Sequence, residues 1–203
     1  MKEIYFITAT NTDIGKTKAC EIFLKKFAKD GKKVGYLKPI ETGVDTQPLD
    51  GTLLLNLTKE LNPSFEVSID DAVPFQFKLP AAPFVASNGK NIDIKIIQNK
   101  IQELLQFCDV LIIEGAGGLM VPINKNYFMY DLIKDINPTK TILVCPSYLG
   151  SINDTLLSQN LLNQKKIKYD WYINLFKDKK EFENITLPFY KAYFGKIRYL
   201  QDI

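Results

Sequence analysis

Gly15, Lys16 and Thr17 stand a few residues beyond an apolar run, IYFIT, at residues 4–8. Gly-Lys-Thr at a helix start is the end of a phosphate-binding loop. Backbone N–H groups cradle phosphate, the lysine reaches the β- and γ-phosphates, and the hydroxyl holds Mg²⁺. The usual loop opens with a glycine five places before the second one; that place holds Thr10, flanked by Ala9 and Asn11. A second group points to the same chemistry. VLIIE, residues 110–114, is an apolar run ending in an acid, Glu114, and Gly115, Ala116, Gly117 and Gly118 follow. A carboxylate at a strand's C-terminal edge suits Mg²⁺ in a nucleotide site. Glycines beside it let backbone N–H groups approach an oxyanion. A chance Gly-Lys-Thr, or a tight turn behind a surface glutamate, explains either group alone but explains both together poorly.

Three further features have bland readings beside the chemical ones. Lys38, in LKPIETG, ends an apolar run and would add positive charge at the same sheet edge, or is a surface lysine before a turn. Asp50 reads as a helix cap or as a second metal carboxylate. LGSIN, residues 149–153, gives a Gly-Ser helix start whose bare N–H groups take a carboxylate or simply begin a helix.

The composition narrows the chemistry. The 203 residues include no histidine, which excludes a Ser-His-Asp triad, His-ligated zinc and imidazole base catalysis. Cys20, Cys108 and Cys145 lie in apolar stretches without a CxxC, as buried small hydrophobes in a reducing compartment do. With 46% hydrophobic residues the chain is globular, and a net charge of +3 gives no argument for nucleic acid. No apolar run approaches the roughly 18 residues that span a bilayer, and no basic-then-apolar leader is present. A cytoplasmic protein without nucleic-acid or membrane partners is expected.

These residues need elements to position them. Residues 3–8 read as a buried strand, and Gly15 to Lys29 as a helix with Ala19, Cys20, Phe23, Leu24, Phe27 and Ala28 at helical spacing, ended by Gly31. KVGYLKP is a second strand closed by Pro39, and PLDGTLLLNLTKEL a short helix. Residues 73–90 read as a proline-rich loop. IDIKIIQNKIQELLQF is an amphipathic helix with Asp93 near its start, and DVLIIEGAGG a strand running into a glycine loop. TILVCP and YDWYINLF are strands on either side of a helix, GSINDTLLSQNLLNQ, and the tail YFGKIRYLQDI adds one short strand. Alternating strands and helices, with strands apolar on both faces, predict a single α/β domain, a mostly parallel sheet flanked by helices; the Gly15-Lys16-Thr17 loop makes it one of P-loop nucleotide-hydrolase type.

In this order the motifs resemble dethiobiotin synthetase, a ligase of biotin biosynthesis, from residue 4 to about 175. The family's phosphate loop is one residue longer than usual, which accounts for Thr10; its first glycine falls on Ala9. The resemblance implies that ATP, CO₂ and 7,8-diaminopelargonic acid give dethiobiotin, ADP and phosphate. One amine captures CO₂ as a carbamate, the carbamate attacks the γ-phosphate, and the second amine closes the ureido ring on the resulting carbamic–phosphoric anhydride. Such a reaction needs positioning and charge neutralisation more than a protein nucleophile.

The resemblance also implies roles. Thr12, Lys16 and Lys38 hold the carbamate and the transferring phosphoryl group. Thr17, Asp50 and Glu114 hold Mg²⁺. Asp13, Ile14, Gly15, Lys16, Thr17 and Lys18 form the loop around the nucleotide, with Asp50, Glu114, Gly115, Ala116 and Gly117, while Asn174 reads the adenine. Thr42 and Gly118 contact the substrate. Gly150, Ser151, Ile152 and Asn153 bind its carboxylate from across a homodimer interface.

The competing reading is a deviant P-loop switch ATPase of the partitioning type. Those proteins carry a signature lysine five residues before the loop lysine, where this chain has Asn11. They often end in a basic amphipathic membrane helix, a pattern that YFGKIRYLQDI lacks. An amidotransferase-linked ligase would need a glutaminase domain, for which 203 residues leave no room.

Overall fold

The computed structural model describes residues 2–176 and 179–203. Strand β5, Val110–Gly118, is the centre of the architecture. Val110 and Ile112 point to one side of the sheet, and Leu111 and Ile113 to the other. All four are fully buried, so both faces must be covered. On one side of β5 lies β1, Glu3–Ala9, and on the other β2, Val34–Leu37. Strands β8, Lys140–Cys145, and β9, Tyr169–Ile173, complete a parallel sheet in the order β2-β5-β1-β8-β9.

One face packs under α1, Lys16–Lys29, and α2, Leu49–Leu61, through Cys20, Phe23, Leu24 and Leu54. The other is covered by α5, Ile94–Leu104, α6, Met129–Ile136, and α7, Ser151–Gln164, through Ile97, Ile101, Leu132, Ile133 and Leu162. The result is the helix–sheet–helix sandwich expected from the sequence.

Local chemistry sets the boundaries. Asp93 caps α5 by accepting from the Lys95 N–H at 2.9 Å. Gly31, at φ +78°, follows the end of α1 and donates to the Ala28 carbonyl.

Several elements differ from the reading. The glycines after Glu114 stay in β5 rather than forming a separate loop. A short helix, α3, Ile69–Ala72, follows α2, and residues 73–90 hold more than loop: β3, Ile40–Thr42, pairs in parallel with β4, Phe75–Phe77, and a helical turn, α4, spans Pro83–Ala86. A small hairpin, β6 Pro122–Asn124 with β7 Tyr127–Phe128, precedes α6. In place of a strand the tail contributes a bridge between Tyr199 and Ile173 and a 3₁₀ turn, Leu200–Asp202, while the aromatics before it lie in a helix, Leu187–Phe194. Phe194 packs 4.7 Å from Trp171 there, ring centre to ring centre.

Candidate active site

A parallel sheet sends the C-terminal ends of its strands to one edge, where connecting loops leave a crevice. At this edge β1 runs into the phosphate loop, β2 delivers Lys38, and β5 delivers Glu114. The loop needs two backbone conformations with positive φ: Asp13 at 58° and Gly15 at 100°. Glycine is required at 15 for a second reason, since a Cβ there would collide with the Asn174 side chain. Ala9 takes no such conformation. It ends β1, fully buried, opposite Gly118 of β5 and Val144 of β8, so the loop accepts alanine where the family has glycine.

Between Ile7 and Ala9 the β1–β5 register slips, and the extra residues on β5 are the glycine stretch. Gly117 sits at φ +62°, and a Cβ on Gly118 would lie 2.8 Å from the Thr10 carbonyl oxygen. These glycines let β5 pass directly beneath the phosphate loop.

Around the edge opens a cleft of about 690 Å³. Of the expected residues, Thr12, Asp13, Gly15, Lys16, Thr17, Lys38, Thr42, Asp50, Glu114, Gly115, Ala116 and Gly117 line it. Glu114, only 1% exposed, is its anchor. Its Oε1 accepts from Thr17 Oγ1 at 2.9 Å and from Lys38 Nζ at 3.1 Å, while its Oε2 accepts from the Tyr36 hydroxyl at 2.8 Å. Lys38 Nζ also donates to Asp50 Oδ2 at 2.5 Å. The ammonium therefore bridges two carboxylates. Lys16 reaches back over the loop to the Asn11 carbonyl at 3.0 Å.

Burial and charge set the lysines apart. Burial alone would lower the Lys38 pKa, but Glu114, Asp50 and Glu41 outweigh it and hold the group above the ordinary lysine range. Lys38 is a fixed positive charge, not a proton acceptor. Lys16 goes the other way: loss of water lowers it, Glu114 opposes, and the Lys38 charge lowers it further. Burial, then the Glu114 charge, raises the Tyr36 phenol well above its usual value, so it stays a donor to Glu114. Burial raises the Cys20 thiol for the same two reasons, leaving it an inert core group.

Some expected residues lie elsewhere. Ile14 is buried in the core under α1, and Lys18 points outward to pair with Glu21 at 2.9 Å. Gly118 serves the β5–loop crossing and does not line the cleft. Asn174 is buried beneath the loop, where Nδ2 donates to the Ile14 carbonyl at 2.9 Å and Oδ1 accepts from Gln201 at 2.8 Å. Gly150, Ser151, Ile152 and Asn153 form the start of α7 and are not among the lining residues of this cleft.

The sequence reading missed Tyr36, Glu41 and the wall formed by Pro80, Ala81, Ala82 and Pro83. Glu41 had a signal, an acid three places after Lys38 in the same motif.

The lining carries two lysines, Lys16 and Lys38, against four acids, Asp13, Glu41, Asp50 and Glu114. A polyanion entering such a cleft needs an accompanying cation. Thr17, Asp50 and Glu114 offer oxygen only, the donor set of a hard divalent ion. Among the described residues no group of three or more His, Cys, Asp or Glu is arranged to hold a metal alone.

A phosphate loop after the first strand, a helix rising from Gly-Lys-Thr, and a carboxylate on the neighbouring parallel strand define a P-loop nucleotide-binding protein. The family model described as AAA domain matches residues 3–173. An ATP-dependent dethiobiotin synthetase from Sulfurovum sp. (strain NBC37-1) is 47% identical over 190 residues, 93% of this chain and 90% of the relative. That of Wolinella succinogenes is 36% identical over 92% of this chain and 87% of its own. A solved ParA family ATPase from Chlorobium tepidum covers 98% of this chain and 83% of its own at a TM-score of 0.58, but at 15% identity it shares only the fold. The chain belongs to the AAA-domain family and, within it, to the ATP-dependent dethiobiotin synthetases.

Proposed function

We propose that this chain catalyses the ATP-dependent closure of a ureido ring on 7,8-diaminopelargonic acid, taking the carbonyl carbon from CO₂ and releasing dethiobiotin, ADP and phosphate. The observation that carries the reading is Lys38, held cationic between Asp50 and Glu114 beside the phosphate loop in a chain without histidine.

One substrate amine adds to CO₂ and loses a proton, giving a carbamate. A carbamate oxygen attacks the γ-phosphorus, the bond to the β–γ bridging oxygen breaks, and ADP leaves. The second amine attacks the carbamoyl carbon, the bond to the phosphate oxygen breaks, and a further proton is lost. Thr12, Lys16 and Lys38 hold the carbamate and the transferring phosphoryl group, the hydroxyl by hydrogen bonding and the two lysines by charge. Lys38 acts through charge, because its neighbours keep it protonated. Asp13, Gly15 and the loop backbone hold the phosphates. Thr17, Asp50 and Glu114 would hold Mg²⁺, which supplies charge neutralisation at the phosphates. Gly115, Ala116 and Gly117 floor the cleft, and Thr42 faces the diamine from β3.

The start of α7 binds the substrate carboxylate of a second copy in a homodimer. Two observations support this: residues 150–153 do not line their own cleft, and the apolar Leu149 and Leu157 beside them are 71% and 62% exposed.

The test is phosphate release from Mg·ATP and bicarbonate, with and without the diamine, on wild type and Lys38→Ala. Release that requires the diamine and collapses in the variant is expected. Release indifferent to the diamine, yet raised by DNA or lipid vesicles, would replace the ligase with a switch ATPase.

A further inference from the structure

Helix α2 starts without a cap of its own. Its N-cap position is Pro48, which offers no side-chain acceptor, so the first-turn N–H groups need another partner. The partner comes from β3. The buried Glu41 carboxylate accepts from the Asp50 N–H at 3.1 Å and the Gly51 N–H at 2.9 Å. The approach depends on the glycine, since a Cβ at position 51 would lie 3.1 Å from Glu41 Oε2 and collide with Val73. One carboxylate thus ties the first turn of α2 to β3, and β3 follows Lys38 by one proline.

The consequence falls on Asp50. Its backbone is held by Glu41 while its side chain meets Lys38 Nζ at 2.5 Å. Lys38 in turn meets Glu114. Glu41 itself stands farther from Lys38, at 4.0 Å, so its shorter contacts are to the helix and not to the ammonium.

We infer that Glu41 is a positioning residue: by capping α2 from β3 it fixes Asp50 against Lys38 and so sets the geometry in which Asp50 and Glu114 meet the nucleotide's cation. The inference rests on the reading of Asp50 as a site carboxylate. A merely structural cap would change melting temperature and amide exchange but leave the cation requirement as it is. A positioning residue changes the cation requirement, and does so only while Asp50 is present to be positioned.

The test compares Glu41→Ala, Glu41→Gln, Asp50→Asn and the double variant Glu41→Gln/Asp50→Asn in the full chain. The first readout needs no reaction: amide hydrogen exchange at Asp50 and Gly51 in the free protein. It should speed up about tenfold in Glu41→Ala, as for helix N–H groups that lose their acceptor. The second is the Mg²⁺ concentration that half-saturates phosphate release. It should rise on the order of tenfold in Glu41→Gln and in Asp50→Asn, with turnover at saturating Mg²⁺ changed by less than about threefold in Glu41→Gln. In the double variant the Mg²⁺ requirement should match that of Asp50→Asn alone. Glu41→Gln keeps the volume and carries the test if the alanine variant does not fold.

Unchanged exchange at Asp50 and Gly51 overturns the capping role. Multiplying effects in the double variant overturn the path through Asp50. If Asp50→Asn alone leaves the Mg²⁺ requirement unchanged, the site reading of Asp50 fails first, and the inference falls with it.

Discussion

Replacing Lys38 by methionine keeps most of the side-chain volume and removes the charge. The Lys38 side chain is 7% exposed and that of Glu114 1%, so this pair is buried; Asp50, at 47%, keeps much of its water. Breaking a buried pair from one side costs about 3–5 kcal/mol, whereas a contact to an exposed carboxylate is worth about 0–1 kcal/mol. Glu114 retains the hydroxyls of Thr17 and Tyr36, which places the loss at the lower end, about 3 kcal/mol. In a chain of this size each kcal/mol moves the melting temperature by about 2–4 °C, so Lys38→Met should melt roughly 6–12 °C lower in metal-free buffer. The double variant Lys38→Met/Glu114→Gln should recover most of that loss, because the buried Glu114 charge goes with its ammonium, while Asp50 keeps its water and Glu41 keeps the Asp50 and Gly51 N–H groups. Neither protein should turn over at more than about a hundredth of the wild-type rate, the usual effect of removing an electrostatic group from a reaction centre. Thermal melts of the wild type and these two variants decide the matter. A Lys38→Met variant melting within about 2 °C of wild type, or a double variant no better than the single one, would refute the account of a buried, one-sided charge.

The position of Asn174 makes nucleotide selectivity testable: if its amide supports the loop through the Ile14 carbonyl, Asn174→Ala weakens ATP and GTP binding by the same factor, whereas a loss confined to ATP in calorimetric titrations would make it a reader of adenine. Gly118→Ala should lower nucleotide affinity by about tenfold or more in the same titrations, because the new methyl must push the Thr10 carbonyl and the loop with it; unchanged affinity would mean that the crossing has slack. Burial holds Lys16 below the ordinary lysine range, so its charge is lost as pH rises toward 10.5, and affinity for the anionic nucleotide should fall over that window. Over the pH range in which the free protein loses that charge, binding should take up a proton, because the anionic nucleotide favours the charged form, detectable as a dependence of the binding heat on buffer ionisation enthalpy. A flat affinity up to pH 10.5 would contradict the burial of that ammonium.

Much of the site was legible because its residues sit at fixed offsets from strand ends. Lys16, Thr17, Lys38 and Glu114 each follow an apolar run, and a parallel sheet gathers such ends on one edge. The strand order was not legible, because β5 enters between β1 and β2 from about seventy residues away and no local pattern encodes that. Glu41 and the Pro80–Pro83 wall were missed for a related reason: β3 and β4 are three-residue strands whose pairing depends on distant partners. The tail from Tyr193 reads as a short strand, but Tyr193 and Phe194 close the helix Leu187–Phe194, where Trp171 offers Phe194 a surface. Asn174 enters the sequence reading only through the resemblance, as the reader of adenine; its contacts under the loop, to the Ile14 carbonyl and to Gln201, have no local sequence signal.

The insertion of β5 between β1 and β2 also dictates when the protein can first function. A chain that has emerged only through α2 holds Lys16, Thr17, Lys38 and Asp50, yet its two strands have no hydrogen bonds to each other, since each is a neighbour of β5 instead. Thr17 and Lys38 meet Glu114 across sequence separations of 97 and 76 residues. Until β5 slots in, Lys16 and Lys38 share an edge without the Glu114 carboxylate, and the sheet has a gap where its central strand belongs. Nucleotide capture is therefore a late event of folding, and a nucleotide present during refolding should act on the final, sheet-completing step by mass action on the finished state.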